Sequence, residues 1–73
     1  METVYITTEY IKLESFLKLA NLVMSGGEAK LLIQDGYVKV NGETCLMRGK
    51  KLYPGDRIEF MGQKFLITVH APV

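Results

Sequence analysis

The 73-residue chain holds one cysteine and one histidine, and its longest apolar runs, such as Leu31 to Ile33 and Phe65 to Ile67, are three residues. Each shortage removes a class of function. A lone Cys45 closes no intramolecular disulfide, and it has no second thiol or histidine at zinc-ligand spacing, so neither a disulfide framework nor a metal site is expected. Cys45 reads instead as a strand residue. Runs this short fall far below the ~20 residues that cross a bilayer. The first ten residues carry two Glu and no Lys or Arg, the wrong composition for a signal or transit peptide, so a cytoplasmic protein without a membrane partner is expected.

Catalytic equipment is equally sparse. General acid–base and nucleophilic chemistry needs ionisable groups held together in a cleft. The single His70 lies four residues from the end of the sequence, where fraying is usual, and it reads as an exposed tail residue. No GxxxxGK[ST] loop is present, and Gly26-Gly27 does not match a dinucleotide fingerprint. No catalytic residue, cofactor or small-molecule substrate is therefore expected. A chain of this length buries only ~60% of its unfolded surface and is stable by roughly 4 to 11 kcal/mol, which leaves little to hold a strained pocket.

Charge of one sign is also missing overall, with nine Lys and Arg against eight Asp and Glu. The distribution is uneven. Residues 1–35 carry three bases and five acids, whereas residues 36–73 carry six bases and three acids. Arg48, Lys50 and Lys51 crowd into a stretch with no acid between Glu43 and Asp56. Such a run is either a solvated face or an electrostatic footprint for a polyanion.

What is present is a periodic pattern along one domain spanning residues 1–73. Residues 3–7 are β-branched and aromatic, with Val4 and Ile6 on one face of a predicted first strand. Leu13, Phe16, Leu17 and Ala20 follow helical spacing, with Leu22 and Val23 near the end of this first helix. Ser25-Gly26-Gly27-Glu28 has the form of a capping box, in which Ser25 Oγ accepts the Glu28 N–H and the Glu28 carboxylate returns to the Ser25 N–H. The second helix is predicted over residues 26–35, ended by Gly36. The Gly26-Gly27 pair has two readings: a helix start that lets a phosphate approach the backbone closely, or a tight connection that needs small residues.

Residues 37–40 alternate, with Lys39 pointing away from Val38 and Val40. Asn41-Gly42 is a strong hairpin signal, and residues 43–46 should return antiparallel. Pro54-Gly55-Asp56 predicts a type II turn before a strand over residues 57–60. Met61-Gly62-Gln63 then turns into a last strand through Phe65, Ile67 and Val69. The fold class is α+β, two short helices packed on a small, mainly antiparallel sheet.

The stretch from Lys12 to Phe60 resembles the S-four (alpha-L) RNA-binding domain, whose small stand-alone bacterial members it resembles most. The residues that carry the likeness are Lys12-Leu13-Glu14-Ser15-Phe16-Leu17, Ser25-Gly26-Gly27-Glu28-Ala29-Lys30, Leu32-Ile33, Gly36-Tyr37-Val38-Lys39-Val40-Asn41-Gly42 and Pro54-Gly55-Asp56-Arg57-Ile58. The resemblance implies a motif core over about residues 12–60 that grips structured RNA, ribosomal or transfer, without catalysis, in ribosome assembly or translation. Ribosomal or other RNA-processing proteins are the accompanying partners it implies. The RNA-binding positions it implies are Lys12, Ser25, Gly26, Gly27, Lys30 and Lys39. Many members carry Arg or Lys where this chain has Ser15, Gly26, Leu31 and Tyr37. Arg48, Lys50 and Lys51 would compensate if their connection folded beside Lys39 to restore one positive stripe. The alternative function is a protein adaptor using a surface near Met24, Met47 or Met61, although methionines at such positions read more readily as core filler.

Overall fold

Leu13, Phe16 and Leu17 are completely buried, and their spacing places them on one stripe of a helix that must face a core. In the computed structural model, which describes residues 1–69, this stripe belongs to α1 (Leu13–Leu19), and the stripe of Ala29 and Ile33 belongs to α2 (Gly26–Gln34). Around them run β1 (Glu2–Ile6), β2 (Ile11–Lys12), β3 (Val38–Val40), β4 (Glu43–Thr44), β5 (Lys51–Leu52), β6 (Arg57–Phe60) and β7 (Gln63–Val69). Five strands form one sheet in the order β1-β7-β6-β3-β4, and β2 and β5 form a separate two-stranded ribbon. Every neighbouring pair in the sheet is antiparallel except β1 and β7. His70 lies outside the described residues.

Register decides which side chains meet the helices. Val40, Ile58 and Phe65 form one cross-strand row, and Val38 and Phe60 the next. All five are buried, together with Ile67. The rings of Phe16 and Phe65 meet edge to face, 5.5 Å apart at 76°, and join α1 to the sheet. On the opposite face the row reads Thr44, Lys39, Glu59, Lys64.

α1 is shorter than its apolar spacing predicts. Asn21 adopts φ +58°, its N–H bonds to Lys18 O at 3.0 Å, and the Leu22 N–H returns to Leu17 O at 2.9 Å. This is a Schellman ending, so Leu22 and Val23 fold back onto the core as loop residues. α2 ends the same way: the Gly36 N–H reaches Ile33 O and the Tyr37 N–H reaches Leu32 O. A Cβ added at Gly36, where φ is +85°, would meet only Thr44 Cγ2 at an ordinary 3.8 Å. Gly36→Ala should therefore cost the left-handed backbone penalty alone, about 1 to 2 kcal/mol, seen as a lower midpoint in urea with an unchanged slope. An unshifted midpoint would contradict this account of the helix end.

The hairpin joining β3 to β4 has the type I′ form that Asn-Gly favours, with φ +52° at Asn41 and +87° at Gly42. β4 closes at Thr44, so Cys45 lies one residue beyond the strand, although its N–H still continues the ladder to Val38 O at 2.9 Å. Leu46, predicted within the returning strand, is exposed. No helix among the described residues is long and apolar enough to cross a membrane.

Candidate nucleic-acid interface

The residues after β4 are held by main-chain bonds. The Leu13 N–H donates to Lys50 O at 2.8 Å and the Glu14 N–H to Arg48 O at 3.0 Å. The first N–H groups of a helix have no partner within it, and here the connection from residue 45 to 50 supplies two carbonyls for them. One step along the chain, Lys51 pairs with Lys12 and Leu52 with Ile11 in the β2–β5 ribbon. Lys12, Arg48, Lys50 and Lys51, all exposed, are thereby collected around the start of α1.

Lys39 is placed differently. It stands between Thr44 and Glu59 on the sheet face turned away from the helices. The connection is thus anchored beside Lys12 rather than beside Lys39, and the single stripe expected from the sequence becomes two groups on different faces. The reason is that the unsatisfied N–H groups of α1 draw the connection toward the helix side.

The start of α2 contributes a third element. Ser25 is extended, and its Oγ accepts the Glu28 N–H at 3.2 Å. The Glu28 carboxylate answers the Met24 N–H at 3.1 Å, one residue earlier than the Ser25 N–H expected from the capping-box pattern. An added Cβ at Gly26 would meet nothing within 4 Å, and one at Gly27 only Ser25 Oγ at 3.9 Å. Packing therefore does not require either glycine, which removes the reading of a connection that needs small residues. Lys30 is exposed one turn further along α2.

Asn41 and Asp56 tie the hairpin to the turn before β6. Asn41 Nδ2 donates to Asp56 Oδ1 at 3.1 Å, Asn41 Oδ1 accepts the Arg57 N–H at 2.9 Å, and Asp56 Oδ2 accepts the Tyr53 N–H at 2.8 Å. Between the hairpin and the basic connection lies an open concavity of about 570 Å³, bounded in part by Cys45, Met47, Lys50, Lys51 and Tyr53. Met24, Met47 and Met61 are exposed at 96%, 66% and 66%, which corrects their reading as core filler. All three sit in connections, which run over the surface. No group of three His, Cys, Asp or Glu among the described residues is placed to hold a metal ion.

The β2–β5 ribbon is the element that reading along the chain misses. Its signal is present in reverse: Tyr10-Ile11-Lys12 and Lys51-Leu52-Tyr53 are mirror images, each with an apolar residue between an aromatic and a base. Two strands of two residues each are too short to stand out from periodicity alone.

The model of the S4 domain family matches residues 4–68. A protein of Bacillus subtilis named as a probable ribosome maturation protein, RlbA, is 49% identical over 57 residues, covering 78% of this chain and 80% of that one. The crystal structure of the 30S ribosomal protein S4e from Thermoplasma acidophilum superposes with a TM-score of 0.60 at 24% identity, over 80% of this chain and 31% of that longer one, a likeness of fold. The chain belongs to the S4 domain family.

Proposed function

We propose that the protein is a non-catalytic RNA-binding module that recognises structured RNA, ribosomal or transfer, and acts in the cytoplasm in ribosome assembly or translation alongside ribosomal or RNA-processing proteins. The observation that carries this reading is the pair of main-chain bonds from α1 to Lys50 and Arg48. They bring the backbone of Arg48 and Lys50 to the start of α1 beside Lys12, which supports a local basic surface there although the chain is nearly neutral. The family and the ribosome maturation relative support the same reading. Phosphate and 2′-OH contacts dominate when a protein reads the shape of a folded RNA, and lysines around a helix start suit that task. Ser25, Gly26, Gly27 and Lys30 extend the proposed contact on the helix side, and Lys39 would meet the RNA separately from the other face of the sheet.

If these residues make about five phosphate contacts, the logarithm of affinity for a structured ribosomal RNA fragment should fall with log salt at a slope of about −3.5 to −4.5. Fluorescence anisotropy across a salt series, with a matched DNA duplex for comparison, measures this. A flat salt dependence would end the proposal.

A second reading, a protein adaptor, is favoured by the exposed apolar side chains of Met24, Leu46 and Met47. It requires that removing the basic side chains leave partner binding intact.

A further inference from the structure

The β2–β5 ribbon turns Ile11 and Leu52 inward, Leu52 being fully buried. Strand alternation sends the residues on either side outward. Lys12 and Lys51 face each other there, and Tyr10 and Tyr53 occupy the next outward position, their rings 5.9 Å apart and tilted by 47°. The Lys51 ammonium lies 4.8 Å from the centre of the Tyr10 ring. One small face thus presents two aromatic rings and two cations.

Two features of this face are not explained by stability. Like charges directly opposite across strands are destabilising. Because the Leu13 N–H bonds to Lys50 O one register step away, Lys12 and Lys51 fall at the non-hydrogen-bonded position, where side chains are closest. Neither lysine makes an ion pair among the described residues. A two-stranded ribbon is marginal on its own, and placing repelling charges in it makes sense where a polyanion completes the surface. The second feature is Tyr53, which is 43% exposed yet rigidly mounted. Its N–H is held by Asp56, its neighbours form the Pro54-Gly55 turn closed by the bond from the Asp56 N–H to Tyr53 O at 3.0 Å, and Tyr10 braces its ring. The Tyr10 carbonyl in turn accepts the Thr8 hydroxyl at 2.7 Å.

We infer that this face is a stacking site for one unpaired base of a bound RNA: the base lies on the Tyr53 ring, Tyr10 positions that ring and pins Lys51, and Lys12 and Lys51 neutralise the flanking phosphates. The inference rests on the RNA-binding reading and adds to it a preference for a base outside a duplex. Stacking is tolerant of base identity because every base has a π face, so the site selects a single-stranded element rather than a sequence.

The test uses the full chain with two probes, a stem–loop RNA with an unpaired adenosine loop and a blunt duplex RNA of the same stem. Tyr53→Ala should weaken stem–loop binding by about 5- to 150-fold, leave blunt-duplex binding unchanged and leave the salt slope unchanged, since no charge is removed. Tyr53→Phe should restore affinity. The chain has no tryptophan and four tyrosines, so the difference in tyrosine quenching between the wild type and Tyr53→Phe reports the contribution of Tyr53. Binding of the stem–loop should quench tyrosine emission in the wild type, and Tyr53→Phe should reduce that quenching while affinity persists. Stem–loop affinity unchanged in Tyr53→Ala, an equal loss on both probes, or quenching undiminished in Tyr53→Phe overturns the stacking site. Should Tyr53→Ala fail to fold by circular dichroism, the phenylalanine variant alone decides. A wild type that binds neither probe defeats the RNA-binding reading itself, and the inference with it, which separates the two failures.

Discussion

Phe16→Ala should lower the free energy of unfolding by about 3 to 5 kcal/mol. Phe16 and Phe65 are both buried to within 1% of complete exclusion from solvent, and their edge-to-face contact is the main ring-to-ring link between α1 and the sheet. Truncation removes the transfer free energy of the ring and leaves a cavity between two layers that the rest of the core holds apart. Against a total of roughly 4 to 11 kcal/mol for a domain of this size, the variant would populate its unfolded state measurably at room temperature. Phe16→Leu, which keeps most of the volume, should retain a cooperative transition with a smaller loss. Urea titration followed by circular dichroism measures both. A loss below about 1 kcal/mol in the alanine variant, typical of surface substitutions, would show that α1 is not held through this contact.

The second large effect concerns binding. Replacing Arg48, Lys50 and Lys51 together by alanine should reduce the magnitude of the salt slope by about 2 to 3 and weaken RNA binding at physiological salt by roughly 100-fold, since each neutralised phosphate contributes about 0.7 to 0.9 to the slope. The fold should survive this change. The bonds that dock the connection on α1 run from the Leu13 and Glu14 N–H groups to the main-chain carbonyls of Lys50 and Arg48, and alanine keeps those carbonyls. Lys64→Ala is the control, because Lys64 belongs to none of the proposed contact positions and is separated from Lys39 by Glu59 on the intervening strand. Equal loss in the control would mean that net charge alone matters. A triple variant with unimpaired RNA binding would move the function to the adaptor reading.

The contrast between these two variants reflects how differently their positions show in the chain. Phe16 is visible from its spacing with Leu13 and Leu17, because a helix facing a core requires that period. The Asn41-Gly42 hairpin and the Ser25 cap are equally local, as each depends on φ preferences or hydrogen bonds within four residues. The end of α1 is less so: the apolar residues Leu22 and Val23 extend the helical pattern, and only the left-handed Asn21 with its two return bonds shows that they pack from a loop. Chemistry one residue away also escapes, as the Glu28 carboxylate bonding the Met24 N–H illustrates.

By itself the sequence determined the fold class, both helix starts, the turns and the inward and outward faces of β3, because these depend on short-range periodicity and on residue types at fixed spacing. Tertiary structure alone decided that β1 closes the sheet parallel to β7, and that the basic connection joins Lys12 and leaves Lys39 on the opposite face. It also decided that Tyr10 meets Tyr53 across forty-odd residues of chain. These are pairings between distant segments, settled by which unsatisfied backbone groups and apolar faces remain after local structure has formed.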